Sequence, residues 1–264
     1  MLREILRKIK DGELPLDEAE KAIKLLAIEE VNDIARLDIH RELRHGVPEV
    51  VIAEGKSVDN VIEIAGKALQ KTGRIIISRA NDQQVNALTF CAIEGKKINI
   101  SKSGSTVVLS DSHSQRRATG GRVGIITAGT SDIPVAQEAE IMASEMGCDV
   151  TVAYDVGIAG IHRIFMPLKE MINKDIDVLV VVAGREGALP TLLAGLIDVP
   201  IIAVPTSFGY GFGEKGTGAL MAMLQSCSLG LAAVNIDGGI PAGAVAALIA
   251  NRVARFREKK SSLV

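Results

Sequence analysis

The second half of the chain alternates continuous apolar runs with segments of helical periodicity, and each run is followed by a turn rich in Gly, Ser or Asp. The runs begin at Val123, Val150, Val178, Ile201 and Leu231. The third run is apolar at every position rather than at alternate positions, which is typical of a strand buried on both faces of a parallel sheet. The pattern predicts an α/β domain with a flavodoxin-like, doubly wound parallel sheet of five strands.

The first half of the chain carries more charge and a less regular pattern. The predicted elements are strands at 50–52, 74–77 and 107–109 and helices over 17–27, 57–71 and 83–93. An Asp17-x-x-Glu20 capping box opens the first of these helices. This mixture predicts a smaller N-terminal α+β domain.

A polar segment separates the two halves. It runs from Asp111 to Gly121 and ends in paired glycines, which is typical of a linker. We therefore place the N-terminal domain at residues 1–118 and the flavodoxin-like domain at residues 119–264.

Composition excludes several classes of protein. Of 264 residues, 47% are hydrophobic and 23% are charged, which is typical of a globular chain and not of a disordered one. The net charge of −2 and an aromatic content of 3% give neither a basic field nor stacking platforms for nucleic acid. The sequence shows no membrane span and no signal peptide. We expect a cytoplasmic protein that binds neither nucleic acid nor a membrane.

Ligands of doubly wound sheets bind where loops leave the carboxyl ends of the strands. The loop after the first predicted strand contains Gly129-Thr130-Ser131-Asp132, and the helix that follows offers free N–H groups to a phosphate. Ordinary N-capping by Ser131 or Asp132 is the simpler interpretation of this loop taken alone.

The second loop carries several polar candidates. Asp155 is suited to hold ribose hydroxyls, His162 to act as an acid or base, and Arg163 to bind a phosphate; Gly157 lies between them. The alternative is that Asp155 caps a helix and His162 is an ordinary surface residue. The residues alone favour neither interpretation.

The third and fourth loops are rich in glycine. Gly184 and Gly187 permit close approach to the backbone, and Glu186 lies between them, facing the expected ligand. The fourth loop, at 205–218, contains Thr206-Ser207 and five glycines. Connections in such domains usually have about 2–6 residues, so the length favours a ligand-binding loop over a plain connection.

One of the three cysteines stands in polar surroundings. Cys91 and Cys148 lie among apolar residues, where a free cysteine usually packs as a small hydrophobic side chain. Cys227 lies between Ser226 and Ser228, just before the last predicted strand. An exposed nucleophile and a buried small residue are equal alternatives there. Neither the cysteines nor the four histidines have disulfide or zinc spacing.

Taken together, the loops resemble two related families. Resemblance to the carboxyaminoimidazole ribonucleotide mutase family, known as PurE, is carried by Ser131-Asp132, His162-Arg163, Ala183-Gly184 and Leu189-Pro190. An ordered set of motifs over nearly the whole chain resembles the LarB family more closely. The set occupies residues 37–50, 54–56, 130–136, 155–163, 186–190, 204–207, 226–227 and 234–237. The resemblance implies a PurE-like C-terminal domain.

The LarB resemblance implies a specific reaction. Members of that family carboxylate the pyridinium ring of nicotinic acid adenine dinucleotide at carbon 5 with CO₂ and hydrolyse its phosphoanhydride. The products are pyridinium-3,5-biscarboxylic acid mononucleotide and AMP, in the first step toward the nickel-pincer nucleotide that serves lactate racemase. No organic cofactor is implied. A divalent cation such as Mg²⁺ would help the phosphoanhydride step by neutralising charge.

The resemblance also implies roles for individual residues. The nucleophilic cysteine of the family corresponds to Cys227, whose thiolate would add beside the reacting carbon and convert the ring to an enamine. His162, Glu186 and Asp132 complete the expected catalytic set, and His162, Glu186 and Asp237 are candidates for proton transfer or metal contact. The expected substrate-binding residues are Gly129, Thr130, Ser131, Asp155, Gly157, Arg163, Gly184, Thr206, Ser207 and Asp237.

One departure from the mutase pattern leaves other functions open. Ile164-Phe165 follows His162-Arg163 where the mutases have Thr-Pro, so His162 need not play the mutase role. The alternatives are a purine-pathway aminoimidazole ribonucleotide carboxylase or mutase, and a non-catalytic nucleotide-binding protein.

The resemblance further implies a homo-oligomer, and we expect an octamer with fourfold and twofold axes. The predicted helices at 219–224 and 242–253 are more apolar than solvent-covered helices, although they could simply cover the sheet. The N-terminal domain has no implied task. Its polar cluster, formed by His40, Arg41, Arg44 and His45, is either a solvated face or a contact to the dinucleotide of a neighbouring subunit.

Overall fold

The computed structural model describes residues 2–24, 29–31, 34–39, 41–90, 98–111, 116–209 and 211–261. The chain divides into two compact units, Met1–Ser114 and Gln115–Val264. The division falls four residues before the boundary predicted from the sequence. Arg116 forms an ion pair with the buried Glu145 of the second unit, which accounts for the difference.

The first unit combines a four-stranded sheet, a small hairpin and helices. Its described elements are α1 (Leu2–Lys10), α2 (Leu16–Lys24), β1 (Glu29–Val31), β2 (Ala35–Leu37), α3 (Arg41–His45), β3 (Val50–Ile52), α4 (Val58–Thr72), β4 (Arg74–Ser78), α5 (Asp82–Phe90), β5 (Ile98–Ser103) and β6 (Thr106–Asp111). The sheet has the order β3-β4-β6-β5, in which β3 and β4 are parallel and the other pairs antiparallel. Strands β1 and β2 form an antiparallel hairpin.

The predicted elements of the first unit are present with shifted ends. The three predicted strands correspond to β3, β4 and β6, and the last two predicted helices to α4 and α5. Residues 25–28 and 91–97, on which the ends of two predicted helices fall, lie outside the described residues. Helix α2 begins at Leu16, so the prediction of Asp17 as its cap is wrong. Asp17 lies inside the first turn instead, where its carboxylate still interacts favourably with the helix dipole.

Helix α4 illustrates how local sequence sets an element of this unit. The Ser57 hydroxyl accepts a hydrogen bond from the Asn60 N–H, which caps the helix start, and Gly73 ends the helix with a φ of 71°. The buried side chains of Ile64 and Leu69 join the core with Ile77 of β4. The smaller α+β domain predicted from the sequence is therefore confirmed.

The second unit alternates strands and helices along the chain. Its described elements are β7 (Arg122–Thr127), α6 (Ile133–Glu145), β8 (Asp149–Ala153), α7 (His162–Asn173), β9 (Val178–Ala183), α8 (Ala188–Ala194), β10 (Ile201–Pro205), α9 (Thr217–Leu224), β11 (Leu231–Ala233) and α10 (Gly239–Ser261). Three short 3₁₀ turns, Thr130–Asp132, Ile158–Gly160 and Glu214–Gly216, lie in the loops that follow strands.

The sheet of the second unit has the flavodoxin-like order. Its strands run β8-β7-β9-β10-β11, and every neighbouring pair is parallel. Each strand begins within one residue of its predicted start, so the fold-class prediction is confirmed. The chain winds from β7 outward to β8 on one side and through β9 to β11 on the other. The strand order therefore reverses between β7 and β9, where doubly wound sheets form their ligand crevice.

Helices cover both faces of this sheet. Helices α6 and α10 pack against each other on one face, where a Cβ on Gly243 would lie 2.4 Å from the Ala139 carbonyl oxygen. Helices α7, α8 and α9 contribute buried apolar residues to the core on the other face. Strand β9 is buried at all six positions, as its unbroken apolar run predicts. Within the described ranges, no helix is long and apolar enough to cross a membrane.

Candidate active site

A cleft opens at the carboxyl ends of β7 and β9, where the strand order reverses. Its volume is about 710 Å³, within the range of small-molecule sites. The described residues that line it follow β7, β8, β9 and β10, and they are Ala128, Gly129, Ser131, Asp132, Gly157, Ile158, Ala159, Arg163, Ala183, Gly184, Arg185, Glu186, Ala188, Leu189, Phe208 and Gly209. The cleft therefore lies where the sheet topology predicts a ligand site.

Asp132 is a buried carboxylate in this cleft, with 4% of its surface exposed. The Gly129 N–H donates to Oδ2 at 2.9 Å, and the Thr206 hydroxyl donates to Oδ1 at 2.6 Å. Burial raises the pKa of Asp132 above its ordinary value, and the nearby charge of Asp237 raises it further, while the hydrogen bonds from Thr206, Gly129 and Gly184 oppose the shift. Asp132 therefore retains a proton to higher pH than an exposed aspartate and can donate one to a ligand.

Two glycines allow the loop backbones to approach each other beside Asp132. A Cβ on Gly184 would lie 2.3 Å from the Phe208 carbonyl oxygen and 2.6 Å from Thr206 Oγ1. A Cβ on Gly157 would lie 2.5 Å from the Ala128 carbonyl oxygen. Any larger residue at either position would force these loops apart, so the width of the cleft depends on both glycines.

The loop after β8 supplies a cation to the cleft. Arg163 lines the cleft, and its Nη1 lies 3.0 Å from Oδ2 of Asp155 in a half-exposed ion pair. The Asp155 N–H donates to Thr127 Oγ1 at 2.9 Å, which fixes the loop to the end of β7. His162 is exposed at the first position of α7 and is not among the described lining residues. The structure thus brings Arg163 to the cleft and leaves His162 at its periphery.

The loop after β10 is fixed by a second carboxylate. The Ser207 N–H donates to Oδ1 of Asp237 at 2.8 Å, and the Asp237 N–H donates to the Pro205 carbonyl at 2.8 Å. Thr206 is fully buried, and none of Thr206, Ser207 and Asp237 is among the described lining residues. These three residues support the cleft from behind rather than facing it.

The remaining predicted residues divide between the cleft and its surroundings. Gly129, Ser131, Gly157, Gly184 and Glu186 line the cleft. Thr130 is exposed in the 3₁₀ turn beside it and is not among the described lining residues.

Within one chain, Cys227 lies at the opposite edge of the sheet from the residues that line the cleft. It is exposed and follows α9, in the connection that leads into the start of β11. Because β11 is parallel to β10, that connection lies at the amino-terminal edge of the sheet, whereas the cleft lies at the carboxyl edge. The Ser228 hydroxyl donates to the Thr191 carbonyl, which fixes the connection against α8. Within one chain, Cys227 therefore lies at the sheet edge opposite the cleft, and its role as the nucleophile stays a prediction.

The other two cysteines have separate outcomes. Cys148 is buried, its Sγ lies 3.2 Å from Asn251 Oδ1, and burial raises its pKa to about 11, as expected for a structural cysteine. Cys91 lies outside the described residues.

The predicted metal contact has no cluster of ligands around it. Among the described residues, no group of three or more His, Cys, Asp and Glu side chains could hold a metal ion. Both oxygens of Asp132 already accept hydrogen bonds from the protein. We therefore assign no step of the chemistry to a protein-bound cation.

The arginines of the polar cluster of the first unit pair with carboxylates of the same unit. Arg44 contacts the Asp38 carboxylate, and Arg41 Nη1 lies 3.5 Å from Oε2 of Glu49. Burial raises the pKa of Glu49, and Arg41 opposes that shift. His45 is exposed, and His40 lies outside the described residues. These ion pairs give Arg41 and Arg44 a role within the first unit.

Comparison with protein families separates the two units. Residues 122–262 match the AIR carboxylase family, and residues 28–105 match the LarB/PurE-like N-terminal domain. The chain belongs to the LarB family. Its second unit is the PurE-like domain of that family, so the resemblance seen in the sequence motifs is confirmed.

Individual relatives show the same division. An uncharacterized protein of Methanocaldococcus jannaschii is 45% identical over 251 residues, which are 94% of this chain and 96% of that protein. The N5-carboxyaminoimidazole ribonucleotide mutase of the same organism is 31% identical over 150 residues, 53% of this chain and 90% of the mutase. The Thermotoga maritima mutase is 28% identical over 148 residues, 52% of this chain and 84% of the mutase. This LarB family member is therefore an enzyme related to the carboxylases and mutases of the PurE type.

Arg185 and Phe208 are among the lining residues that were missed from the sequence, although the loops that carry them were identified. Arg185 has a φ of 50°, which turns an arginine into a region normally occupied by glycine, and sequence patterns do not reveal this. Phe208 lines the cleft and is 47% exposed. Its position in the unusually long fourth loop was the signal that could have identified it.

Proposed function

We propose that this enzyme carboxylates the pyridinium ring of nicotinic acid adenine dinucleotide at carbon 5 with CO₂ and hydrolyses the phosphoanhydride. The products would be pyridinium-3,5-biscarboxylic acid mononucleotide and AMP. This reaction would supply the first intermediate of the nickel-pincer nucleotide cofactor used by lactate racemase. A PurE-type cleft with the buried acid Asp132, in a chain that also carries the LarB/PurE-like N-terminal domain, is the observation that carries the proposal.

The architecture favours this reaction over the mutase reaction. The matches to the mutases cover about half of this chain, whereas the LarB/PurE-like N-terminal match occupies residues 28–105. Where the mutase pattern has Thr-Pro after His162-Arg163, this chain has the fully buried Ile164 and the exposed Phe165. The loop beside His162 therefore presents different chemistry from that of the mutases.

The carboxylation requires a nucleophile, because a pyridinium ring is electron-poor and does not attack CO₂. The Cys227 thiolate would add to carbon 4, and the electron pair of the broken ring double bond would neutralise the ring nitrogen. The resulting enamine carries electron density at carbon 5, which forms the C–C bond to CO₂. A base then removes the proton from carbon 5, the thiolate leaves, and the pyridinium ring returns. Glu186, which lines the cleft, is the proposed base.

The position of Cys227 sets a condition on this mechanism. Within one chain the cysteine lies at the opposite sheet edge from the cleft, so the thiolate that reaches the ring would come from a neighbouring copy. The proposed homo-oligomer is thus a requirement of the chemistry. Exposed apolar side chains around the Cys227 connection support such a contact: Met221 is 56% exposed, Leu224 67% and Leu229 90%.

The hydrolysis cleaves the dinucleotide at the phosphoanhydride that links its two phosphates. Water adds to one phosphorus, the bridging P–O bond breaks, and the leaving oxygen takes up a proton as AMP and the mononucleotide separate. Arg163 would neutralise phosphate charge, and the N–H groups of the turn after Gly129 would hold phosphate oxygens. Asp132, whose pKa is raised by burial, would donate the proton.

Incubation with nicotinic acid adenine dinucleotide and bicarbonate, followed by mass spectrometry, tests the proposal. The expected products are AMP and a mononucleotide with two carboxyl groups, and labelled bicarbonate should place one label in the second product. Parallel incubations with aminoimidazole ribonucleotide and its N5-carboxylated form test the purine alternative. Consumption of either imidazole with the dinucleotide left intact would overturn the proposal in favour of the mutase or carboxylase reaction. Binding without turnover of any substrate would favour a nucleotide-binding protein.

A further inference from the structure

Arg185 lines the cleft in a backbone conformation that arginine rarely adopts. Its φ is 50°, in the left-handed region where a residue with a Cβ is strained relative to glycine. Asp155 and Asp237 follow the two edge strands, β8 and β11, with φ values of 56° and 55°, but aspartate tolerates this region because its short side chain bonds locally. Arg79 and Lys215 have similar φ values of 55° and 58° but are not among the described lining residues, so it is the position of Arg185 in the lining that points to a function of its side chain.

Packing on both sides of Arg185 holds this conformation. The flanking Gly184 lies so close to Phe208 that a Cβ there would be 2.3 Å from its carbonyl oxygen. The Gly187 N–H donates to the Gly184 carbonyl at 2.9 Å and closes the turn. Gly209 packs on the Arg185 backbone, and a Cβ added to Gly209 would lie 3.5 Å from the Arg185 backbone nitrogen. The Arg185 backbone therefore cannot relax without moving both loops.

The surrounding charges indicate what Arg185 binds. Glu186, the next residue, also lines the cleft, and the buried Asp132 lies close enough to bond the Gly184 backbone. The Glu186 carboxylate would repel an anionic ligand from this part of the cleft unless a cation lay beside it. A guanidinium matches the two oxygens of a carboxylate in a planar, bidentate pair. The second cation of the described lining, Arg163, follows β8, on the other side of β7.

We propose that Arg185 is a specificity-determining residue that binds the ring carboxylate of the pyridinium nucleotide and selects the acid over the amide form. This inference rests on the proposed function, which places the ring beside Glu186. The phosphates belong at the turns after β7 and β8 with Arg163, so the anionic group left for the turn after β9 is the carboxylate. A ring amide carries no charge and cannot form the same ion pair.

Calorimetric titration of the full-length protein with nicotinic acid adenine dinucleotide, NAD and AMP tests this inference. Wild-type protein should bind the acid dinucleotide at least about tenfold more tightly than NAD, the size of one charge-assisted interaction. Both Arg185→Gln and Arg185→Gly should remove most of that preference and leave AMP affinity unchanged. The glycine variant should also have an equal or higher melting temperature, because it relieves the positive φ. Arg185→Lys should retain part of the preference.

Two control variants separate this role from general effects. Arg79→Gly relieves a comparable φ of 55° in the first unit, and Arg122→Gln removes a cation at the amino-terminal edge of the same sheet. Both should keep the preference for the acid.

Each remaining outcome decides between two explanations. An unchanged preference in Arg185→Gln would overturn the role of Arg185 while leaving the proposed function in place. An equal loss of affinity for all three ligands would indicate that Arg185 binds a phosphate. The proposed contact between Arg185 and the ring carboxylate would then be wrong. A wild-type protein that binds neither dinucleotide would overturn both proposals.

Discussion

The Thr206 hydroxyl donates a 2.6 Å hydrogen bond to Oδ1 of Asp132, 74 residues earlier in the chain. The bond ties the loop after β10 to the loop after β7 across the turn that follows β9. Both side chains are buried, so water does not replace either partner if the other is removed. This buried polar pair therefore helps to fix the loop after β10 relative to the loop after β7.

Thr206→Val should lower the free energy of unfolding by about 1–2 kcal/mol, because it leaves a buried carboxylate oxygen without a donor in a side chain of the same shape. Denaturant titration followed by circular dichroism measures the change. Thr206→Ser keeps the hydroxyl and is the matched control for the donor. A serine variant less stable than the valine variant would show that the methyl group, and not the hydrogen bond, matters at this position.

The raised pKa of Asp132 predicts how stability depends on pH. A carboxyl whose folded pKa lies above its unfolded value binds its proton more tightly in the folded state, so its ionisation lowers stability as pH rises through that interval. Asp132→Asn removes the titration. Its amide oxygen can accept from the Gly129 N–H, and its NH₂ group can donate to the Thr206 hydroxyl, whose hydrogen bond is then reversed. As pH rises from the ordinary pKa of an aspartate through the higher folded-state pKa of Asp132, wild-type protein should therefore lose stability relative to the asparagine variant.

Denaturation at several pH values measures this difference. Asp198→Asn, which changes an exposed carboxylate on the same unit, is the control. If wild-type protein instead gained stability over Asp132→Asn with rising pH, the hydrogen bonds would outweigh burial, and the proposed proton-donor role of Asp132 would be wrong.

Cys227→Ser should abolish carboxylation and leave dinucleotide affinity nearly unchanged, because a hydroxyl lacks the nucleophilicity of a thiolate. Loss of a catalytic nucleophile commonly lowers the rate by several orders of magnitude. Cys227 is exposed, so the substitution should not alter the melting temperature. Product formation is measured by mass spectrometry and affinity by calorimetry.

Cys148→Ser is the matched control for Cys227. It replaces a buried thiol and should lower stability by about 1–2 kcal/mol without changing the catalytic rate per folded molecule. NAD offers a second check, since the thiolate should add to its ring and give dihydropyridine absorbance in the near ultraviolet, absent in Cys227→Ser. Full carboxylase activity in Cys227→Ser would refute the covalent mechanism.

Gly184→Ala should destabilise the protein and reduce ligand binding together. The new Cβ would lie 2.3 Å from the Phe208 carbonyl oxygen and 2.6 Å from Thr206 Oγ1, so both loops must move. We expect a loss of about 1–3 kcal/mol, measured by thermal denaturation with and without ligand. Gly66→Ala, in α4 with no atom within 4 Å of the new Cβ, should stabilise by about 0.5–1 kcal/mol. Equal effects of the two substitutions would contradict the close packing at Gly184.

The proposed oligomer predicts a mass well above that of one chain in multi-angle light scattering at micromolar concentration. Leu229→Glu should lower that mass, because it places a charge on an apolar side chain that is 90% exposed in the single chain. If Cys227 acts in a neighbouring cleft, the same variant should lose carboxylation along with assembly. Leu16→Glu, an exposed leucine in the first unit, is the control. A monomeric wild-type protein would exclude transfer of Cys227 between copies.

The fold of the second unit could be predicted from its sequence because the burial of each strand shows in the type of consecutive residues. Strands buried on both faces must be apolar at consecutive positions, so the run at Val178–Ala183 can be recognised in the sequence as such a strand. The first unit was predicted less completely. Strand β5 at Ile98–Ser103 carries only two apolar residues, and β1 and β2 have three residues each, too few to establish a period.

The site was predicted to the extent that it depends on which residues follow each strand. Glu186 and Arg163 line the cleft because the carboxyl ends of parallel strands meet at one sheet edge. Arg185 was missed because its role depends on a backbone angle that its neighbours impose. His162 and Thr206 follow β8 and β10, as some of the lining residues do, yet neither is among the described lining residues, because which side chains reach a cleft depends on tertiary packing.

The sequence by itself determined the strands, the order of the loops and the residue types available for chemistry, because burial and turn formation act on neighbouring positions. Only the tertiary structure decided which of those residues meet. It joined Asp132 to Thr206 and gave the buried carboxyl its raised pKa, which depends on solvent exclusion by distant loops. It also placed Cys227 at the opposite sheet edge, because the direction of β11 follows from parallel pairing with β10.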